Sequence, residues 1–325
     1  MPIRIIPDDT KIQFMRLRRV VFPVSFFLVV VSAILFVTVG PNYGIDFRGG
    51  TMIVLQPPEA VVSTDDIAQV RDRLATIDLA DVDVQTLTEA AGEQSISIRI
   101  AVPEGADVEQ QEVVAEIRVL LADLGEFRSV EVVGPRVSGE LARDGIISAL
   151  VAITAIMIYV WFRFEWQFAI GAVIALLHDV ILTLGFFAVV KLDFNLSSIA
   201  AILTIVGYSL NDTVVVYDRI RETLRKYKRV PVTELIDRAI NETLARTTVT
   251  SLTTWIALWA LFVFGGDVIR SFIAAMIFGV AVGTYSSIFI AAPVLIFMRL
   301  RGDQLDKVED KTDAGPAANK PTAKQ

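Results

Sequence analysis

Two residue types that build many catalytic and metal sites are scarce in this 325-residue sequence. It contains no cysteine and one histidine, His178. Without cysteine there are no disulfides, thiol catalysis or cysteine-ligated metals, and a lone histidine excludes a multi-histidine metal site. There is also no phosphate-binding loop and no nucleophile with a nearby base. The sequence therefore predicts a protein that is not an enzyme, has no cofactor or metal and binds no nucleic acid. Its energy must come from an ion gradient or a partner.

Lysine is missing from one long segment of the chain. Residues 40–142 contain 19 acidic residues, 7 arginines and no lysine, whereas the rest of the chain contains 23 cations and 18 acids. The net charge of −7 therefore hides two regions of opposite sign. In a membrane protein, such a division indicates which segments lie on which side.

Apolar residues, in contrast, are abundant. They make up 54% of the chain, and the mean hydropathy is +0.57, higher than we expect of a soluble domain of this length. Six long apolar runs predict six spans, because about 20 helical residues cross a hydrocarbon core of about 30 Å. The first run is too long for the apolar part of a cleavable signal peptide, and no cleavage site follows it. The predicted spans are 20–39, 146–162, 168–190, 196–217, 247–264 and 271–298.

Cations near the span ends predict the orientation. They cluster before the first span, after the second, between the fourth and fifth, and after the sixth, whereas the two short loops on the opposite side carry one cation each, Lys191 and Arg270. By the positive-inside rule, both termini are cytoplasmic and residues 40–142 are periplasmic. The clustered cations are Arg4, Lys11, Arg16, Arg18, Arg19, Arg163, Arg219, Arg221, Arg225, Lys226, Lys228, Arg229, Arg238, Arg246, Arg299 and Arg301.

The segment between the first two spans has its own pattern. Alternating apolar residues predict strands, and apolar residues at helical spacing predict helices, the first of them capped by Ser63 or Thr64. The order β-α-β-β-α-β predicts an α+β, ferredoxin-like domain. The predicted elements are strand 49–56, helix 64–77, strands 81–88 and 95–102, helix 107–124 and strand 127–133.

These patterns divide the chain into five parts. They are a cytoplasmic N-terminus (1–19), a first span (20–39), a periplasmic ferredoxin-like domain (40–142), a bundle of five spans (143–300) and a disordered cytoplasmic tail (301–325). The tail is predicted disordered because it lacks any apolar period. A basic, amphipathic cytoplasmic loop at about 218–246 interrupts the bundle, and such a loop is attracted to anionic lipid.

Ionisable residues inside spans are candidates for function, because a central charge costs at least ~2.5–3.5 kcal/mol. Asp212 lies well inside the fourth span, with Asn211 and Thr213 beside it and Tyr208 on the same helical face. A carboxyl group in this setting could load and unload a proton. Alternatively, it makes a structural hydrogen bond between helices.

Two further groups lie near the membrane interior. His178 and Asp179 are at the middle of the third span, where they could relay protons or partner Asp212, or simply join helices by hydrogen bonds. Arg246 opens the fifth span. It could be an anchor at the membrane surface, or its guanidinium group could reach inward and hold Asp212 ionised.

Four strings, in their order and spacing, closely resemble the SecD/SecF family of the bacterial Sec translocase. "GPNYGIDFRGGT" follows the first span, "LLHDVILTLGFF" fills the third and "LTIVGYSLNDTVVVYDRIRE" fills the fourth. "AINETLARTTVTSLTTWIALWALFVFGG" leads through the fifth. The likeness covers about residues 41–299. The arrangement of one span, a domain and five spans is also similar to half of an RND-type transporter.

The resemblance implies a function. In that family SecD and SecF proteins each supply one repeat and use the proton motive force to promote late-stage translocation across the inner membrane. It implies four partners: SecD in a heteromeric complex, the SecYEG channel, the translocating preprotein and inner-membrane lipids. Asp212 matches the essential aspartate of the family and Arg246 its fifth-span arginine; His178, Asp179, Asn211 and Thr213 are auxiliary candidates.

In the mechanism that we expect, Asp212 is protonated from outside and its tie to Arg246 and to a facing carboxyl group on the partner loosens. The first and second spans then transmit the movement to the outer domain. Two other readings stay open: half of an RND-type exporter of small molecules or lipids, acting as a homodimer, and a non-catalytic scaffold of the translocon. A stable homodimer without a larger partner would favour the exporter.

Overall fold

The structure is a computed structural model that describes residues 7, 10–58, 61–77, 79, 82–88, 94–101, 109–266 and 269–298. Predictions for Arg4, Arg299, Arg301, the tail and the first or last residues of the predicted elements at 81, 102, 107 and 108 lie outside the described residues. In chain order the elements are α1 (Phe14–Thr38), β1 (Asn42–Tyr43), α2 (Ile45–Arg48), β2 (Gly50–Gln56), α3 (Thr64–Leu74), β3 (Val82–Thr88), β4 (Gln94–Ile100), α4 (Glu109–Leu120), β5 (Glu126–Val133), α5 (Pro135–Arg163), α6 (Trp166–Val190), β6 (Asp193–Phe194), α7 (Leu196–Lys226), α8 (Val232–Phe264), α9 (Arg270–Ser286), a π-helical turn (Ser287–Ala291) and α10 (Ala292–Phe297).

The outer domain has the predicted ferredoxin-like fold. Its four-stranded sheet has the order β3-β4-β2-β5 with all neighbours antiparallel, and the helices α3 and α4 occupy the two crossovers. The side chains of Ile53, Leu55, Ile96 and Ile98 are fully buried against those helices. The helix α3 starts where predicted, because Ser63 and Asp66 form a reciprocal capping box.

Six helices of the described chain are long and apolar enough to cross a membrane, as predicted. The helices α6, α7 and α9 form the buried centre, whereas α1, α5 and α8 leave most of their apolar surface exposed. Close packing at the centre depends on Gly279 of α9, where an added Cβ would collide with Ile205 of α7. The sixth span is not one regular helix, because a π-helical turn separates α9 from α10.

Several helices extend beyond the predicted spans. The helix α5 begins at Pro135, and α7 and α8 continue through most of the predicted basic loop, with residues 227–231 between them. Charged side chains support these extensions. Arg238 Nε donates to Glu242 Oε1 over 2.9 Å one turn along α8, and Arg219 of α7 also binds Glu242.

One connection was not predicted: a short parallel strand pair between the outer domain and the membrane bundle. Strand β1 follows α1 and pairs with β6 in the loop between α6 and α7, so that Asn42 lies opposite Asp193 and Tyr43 opposite Phe194. We call this pair the base strand pair. It fixes the start of the outer domain to the outer end of α7.

Candidate functional site

Asp212 is buried at a junction of three helices. It belongs to α7 and its side chain is 8% exposed. Thr247 of α8 donates its hydroxyl to Asp212 Oδ1 over 2.7 Å, and Ser287 of the π-helical turn donates to Oδ2 over 2.5 Å. Each carboxyl oxygen therefore has one hydroxyl donor, and each donor comes from a different helix.

Arg246 is next to this junction but is not one of the residues that bind the Asp212 carboxyl group. Its side chain is exposed, and its charge acts on Asp212 through an electrostatic attraction. Within the described ranges, no hydrogen bond or ion pair joins Arg246 to Asp212. The neighbouring residue Thr247 makes the direct contact from α8 instead.

His178 and Asp179 form a second buried group on α6. Asp179 is fully buried, and its Oδ1 lies 2.9 Å from His178 Nδ1. Its Oδ2 accepts hydroxyl hydrogen bonds from Ser209 of α7 over 2.5 Å and from Ser286 of α9 over 2.7 Å. The His178 ring stacks on Tyr285, with ring centroids 6.1 Å apart. Asp179 thus joins the three central helices to one another.

The two groups are neighbours in one polar core. Ser286 binds Asp179 and Ser287 binds Asp212, so consecutive residues of the sixth span contact both carboxyl groups. On α7, Ser209 is about one turn before Asp212 and binds Asp179. The α-helix changes to a π-helical turn at Ser287. Such turns occur often at functional sites.

The remaining candidates have separate environments. Thr213 is buried, whereas Asn211 is exposed and makes no hydrogen bond within the part of the chain that the structure describes. Tyr208 donates to Ser251 Oγ of α8 over 3.1 Å, and Ser251 in turn contacts Thr284 Oγ1 of α9 at 2.7 Å. These contacts join the central helices without reaching Asp212.

Four hydroxyl residues at the core were not predicted: Ser209, Thr247, Ser286 and Ser287. Ser and Thr are common in membrane helices, so their presence alone is no signal. The pair Ser286–Ser287 is a weak signal, because two adjacent hydroxyl groups in a span each need an acceptor. Thr247 was not predicted because its charged neighbour, Arg246, was the more prominent candidate at the start of the fifth span.

Polar contacts surround the base strand pair on the outer side. Asn42 Nδ2 donates to Asp193 Oδ1 over 2.7 Å, and Arg99 at the end of β4 forms an ion pair with Asp193 Oδ2. The backbone N–H of Leu196, the first residue of α7, donates to Asp46 Oδ2 over 2.9 Å. The first turn of α7 is therefore bound to the base of the outer domain.

Comparisons with known proteins agree with this architecture. Residues 116–301 match the family model "Protein export membrane protein SecD/SecF, C-terminal", and residues 34–57 match "SecD/SecF GG Motif". The protein translocase subunit SecF of Cereibacter sphaeroides is 42% identical over 91% of this chain and 92% of that protein. The protein translocase subunit SecDF of Brucella abortus is 44% identical over 98% of this chain but 40% of its own length.

Solved structures give the same result. The crystal structure of SecDF from Thermus thermophilus, a translocon-associated membrane protein, matches with a TM-score of 0.79 and 32% identity. A structure of SecDF in a super-membrane-facing form matches with a TM-score of 0.65 and 33% identity. Each match covers over nine tenths of this chain and 40% of the other one. The chain thus spans less than half of the SecDF proteins and nearly all of the SecF relative.

A bundle of six spans with one ferredoxin-like domain after the first, and with carboxyl groups buried among its central helices, defines a multi-pass membrane protein associated with transport. Within that class, the chain belongs to the SecD/SecF family of protein export membrane proteins.

Proposed function

We propose that this chain is the SecF subunit of a preprotein translocase and that, with SecD, it uses the proton motive force to promote late-stage translocation across the inner membrane. The observation that carries the proposal is the position of Asp212, a buried carboxyl group whose two oxygens bind hydroxyl groups from two other helices. Both termini are cytoplasmic in this proposal, and the domain at 40–142 is periplasmic.

Protonation of Asp212 changes its hydrogen bonds. The ionised carboxylate accepts from both Thr247 and Ser287, whereas the protonated group must donate its own proton from one oxygen. Ser287 has a second acceptor, because its Oγ lies 3.0 Å from the carbonyl oxygen of Thr284. In the proposed step, the proton is on Oδ2, and the Ser287 hydroxyl turns to the Thr284 carbonyl and accepts from Oδ2 instead of donating to it, while Thr247 still donates to Oδ1. A charge-assisted bond between α7 and the π-helical turn is thereby replaced by a weaker neutral one, and the two can move apart more easily.

The movement of α7 has a short path to the outer domain. The helix begins at Leu196, directly after β6, and its first N–H binds Asp46. The ion pair between Arg99 and Asp193 adds a second attachment at the same place. We therefore expect the base strand pair to transmit the movement, in addition to the first and second spans that the sequence suggested.

A partner is needed to complete the site. Arg246 is exposed, and the same helix exposes the apolar residues Leu252, Ile256 and Trp259. A second repeat packed here would bury the cation and bring the partner's facing carboxyl group to Arg246 and Asp212. The SecDF relatives support SecD as that repeat, since this chain covers 40% of their length. The SecYEG channel, the preprotein and inner-membrane lipids are the further partners that we propose.

The energy available is modest. One proton charge moving through about 100 mV yields ~2.3 kcal/mol, which is enough only to bias two states of similar free energy. The outer domain must therefore already populate both positions before the proton moves.

The experiment measures gradient-stimulated translocation in vesicles that contain the Asp212→Asn variant with SecD and the channel. We expect the variant to insert normally and to lose the stimulation, while ATP-driven translocation without a gradient persists. Asp218→Asn is the matched control, because Asp218 lies on the same helix and pairs with Arg163 at 3.2 Å outside the core. Stimulation that persists in Asp212→Asn would refute the proton-carrier role.

A further inference from the structure

A cavity of about 920 Å³ lies where the segment before α1 crosses the first turns of α8. Side-chain hydrogen bonds hold the two segments together around it. Asn241 Oδ1 accepts from the Ile12 N–H over 3.0 Å, Asn241 Nδ2 donates to the Ile12 carbonyl over 2.9 Å, and Asp237 accepts from the Met15 N–H over 2.8 Å. The walls are therefore fixed by folded backbone.

The cavity has an excess of positive charge. Lys11, Arg16 and Arg19 line it, and their side chains make no ion pair within the described chain. Arg18 also lines it, and Arg18 Nη1 is buried without a hydrogen-bond partner. A buried guanidinium N–H without an acceptor is costly, so this position favours a ligand that supplies one.

The acidic residues of the cavity do not cancel this charge. Glu242 binds Arg219 over 2.6 Å and Arg238 over 2.9 Å, so it is already neutralised. Asp237 interacts with the charge of Arg18 and accepts the Met15 N–H. Glu234, the third acid that lines the cavity, makes no ion pair within the described residues.

An apolar stripe on α1 begins among the residues that line the cavity. The helix α1 begins at Phe14, and Leu17, Val20 and Val24 follow on adjoining positions of its surface with 49%, 65% and 50% of their area exposed. Three- and four-residue spacing places such side chains along one face of the helix. A molecule with a polar end in the cavity can therefore lay an apolar end along α1 inside the membrane.

We propose that this N-terminal cavity binds the headgroup of an anionic phospholipid, with its phosphate on Arg18, Arg16 and Arg19 and its acyl chains along α1. Guanidinium groups match phosphate oxygens by paired hydrogen bonds, and basic pockets at the cytoplasmic ends of spans suit anionic headgroups. The volume fits a whole headgroup better than one phosphate ion. This site is separate from the Asp212 core and does not depend on the proposed function.

The test is native mass spectrometry of the full chain, released from detergent with phosphatidylglycerol or phosphatidylcholine of identical acyl chains. We expect the chain to retain phosphatidylglycerol at concentrations at least tenfold lower than phosphatidylcholine. The double variant R16Q/R19Q should weaken the phosphatidylglycerol complex by roughly tenfold or more, since each cation near a membrane surface contributes severalfold. R18Q should weaken it as well.

Two controls separate this site from diffuse attraction. R229Q removes an arginine from the loop after α7, outside the cavity, and should bind lipid as the unchanged chain does. Arg16 and Arg19 are exposed, so R16Q/R19Q should keep its thermal unfolding temperature even if R18Q does not. The proposal is overturned if R16Q/R19Q binds as the unchanged chain does, or if R229Q weakens binding equally. It is also overturned if inorganic phosphate at millimolar concentration displaces the lipid, because the ligand would then be the free ion.

Discussion

Ser286 and Ser287 are consecutive in the chain, yet their hydroxyl groups bind carboxyl groups on two different helices. Ser286 donates to Asp179 of α6 over 2.7 Å, and Ser287 donates to Asp212 of α7 over 2.5 Å. The π-helical turn begins between them, at Ser287. Adjacent residues at the junction of α9 and the π-helical turn therefore bind both carboxyl groups, so that each group can be altered separately by a change at one serine.

Removing the Ser287 hydroxyl should impair the coupling of translocation to the proton gradient more than it impairs folding. In Ser287→Ala, Asp212 Oδ2 loses its donor, and we expect gradient-stimulated translocation to fall severalfold. The free energy of unfolding should drop by about 1–3 kcal/mol, the usual effect of losing a hydrogen bond to a charged group. Translocation in vesicles with and without a gradient measures the first effect, and thermal unfolding in detergent measures the second.

Ser286→Ala is the matched control, since it removes a donor from Asp179 instead. It should lower stability by a similar amount and leave the gradient dependence intact. Equal losses of stimulation in the two variants would contradict the separate roles given to the two carboxyl groups.

Asp179 should prove to be a structural residue. Asp179→Ala removes the partner of His178 Nδ1 and of the Ser209 hydroxyl in a buried site, whereas Ser286 keeps the Gly283 carbonyl as an acceptor. We therefore expect a loss of roughly 3 kcal/mol or more and a lower unfolding temperature. Asp179→Asn keeps a carbonyl oxygen as acceptor and should be milder. If Asp179→Asn folds normally but abolishes gradient stimulation, Asp179 acts as a proton relay and this prediction fails.

The ion pair between Arg99 and Asp193 should couple the outer domain to the bundle. In Arg99→Gln the domain keeps its core, because Arg99 lies at the end of a strand, but its base is held less firmly. We expect a broader distribution of distances between spin labels on α3 and α6, and reduced gradient-stimulated translocation. The chain has no cysteine of its own, so the labelling sites can be introduced directly.

Arg136→Gln provides the comparison for Arg99→Gln. Arg136 is an exposed arginine near the same region, and its contact to Glu140 at 3.6 Å remains within α5. The double variant Arg99→Asp/Asp193→Arg exchanges the two charges and should restore part of the gradient-stimulated translocation. An unchanged distance distribution in Arg99→Gln would show that the ion pair is not needed to hold the domain.

Gly279 should be intolerant of a larger side chain. Gly279→Val places methyl groups against Ile205, so α7 and α9 must separate, and we expect a loss of about 1–3 kcal/mol together with disturbed geometry at Asp212. Gly139→Val is the control, because an added Cβ at Gly139 of α5 meets no atom within 4 Å. Thermal unfolding of the two variants in the same detergent makes the comparison, and equal unfolding temperatures would contradict the close packing.

The sequence predicted the features that produce a periodic pattern or an apolar run of characteristic length. The spans followed from apolar runs, and the outer domain followed from alternation, as at Ile96 and Ile98 of β4, and from the capping residue Ser63. The base strand pair could not be predicted, because its strands contain two residues each and lie far apart in the chain. Pairing of this kind depends on tertiary structure alone.

Only part of the candidate site was predicted, because most of its contacts also depend on tertiary structure. A carboxyl group within an apolar span is rare, so Asp212 is conspicuous in the sequence, whereas a serine or threonine there is common. Which hydroxyl group faces Asp212 depends on the rotation of α8 and on the π-helical turn. Neither can be read from the spacing of residues. Arg246 is at the position where the family resemblance places a fifth-span arginine. Its role stays a prediction that depends on a partner.

The base strand pair also bears on how the protein is assembled. Asn42 and Asp193 are 151 positions apart, and between them lie the whole outer domain and the helices α5 and α6. The pair cannot form until α5 and α6 have been inserted, because β6 follows α6 in the chain. Closing so long a segment is entropically costly and slow. The contact between the domain and α7 is therefore one of the last to form. Its formation indicates that the first half of the chain has been inserted with the correct topology.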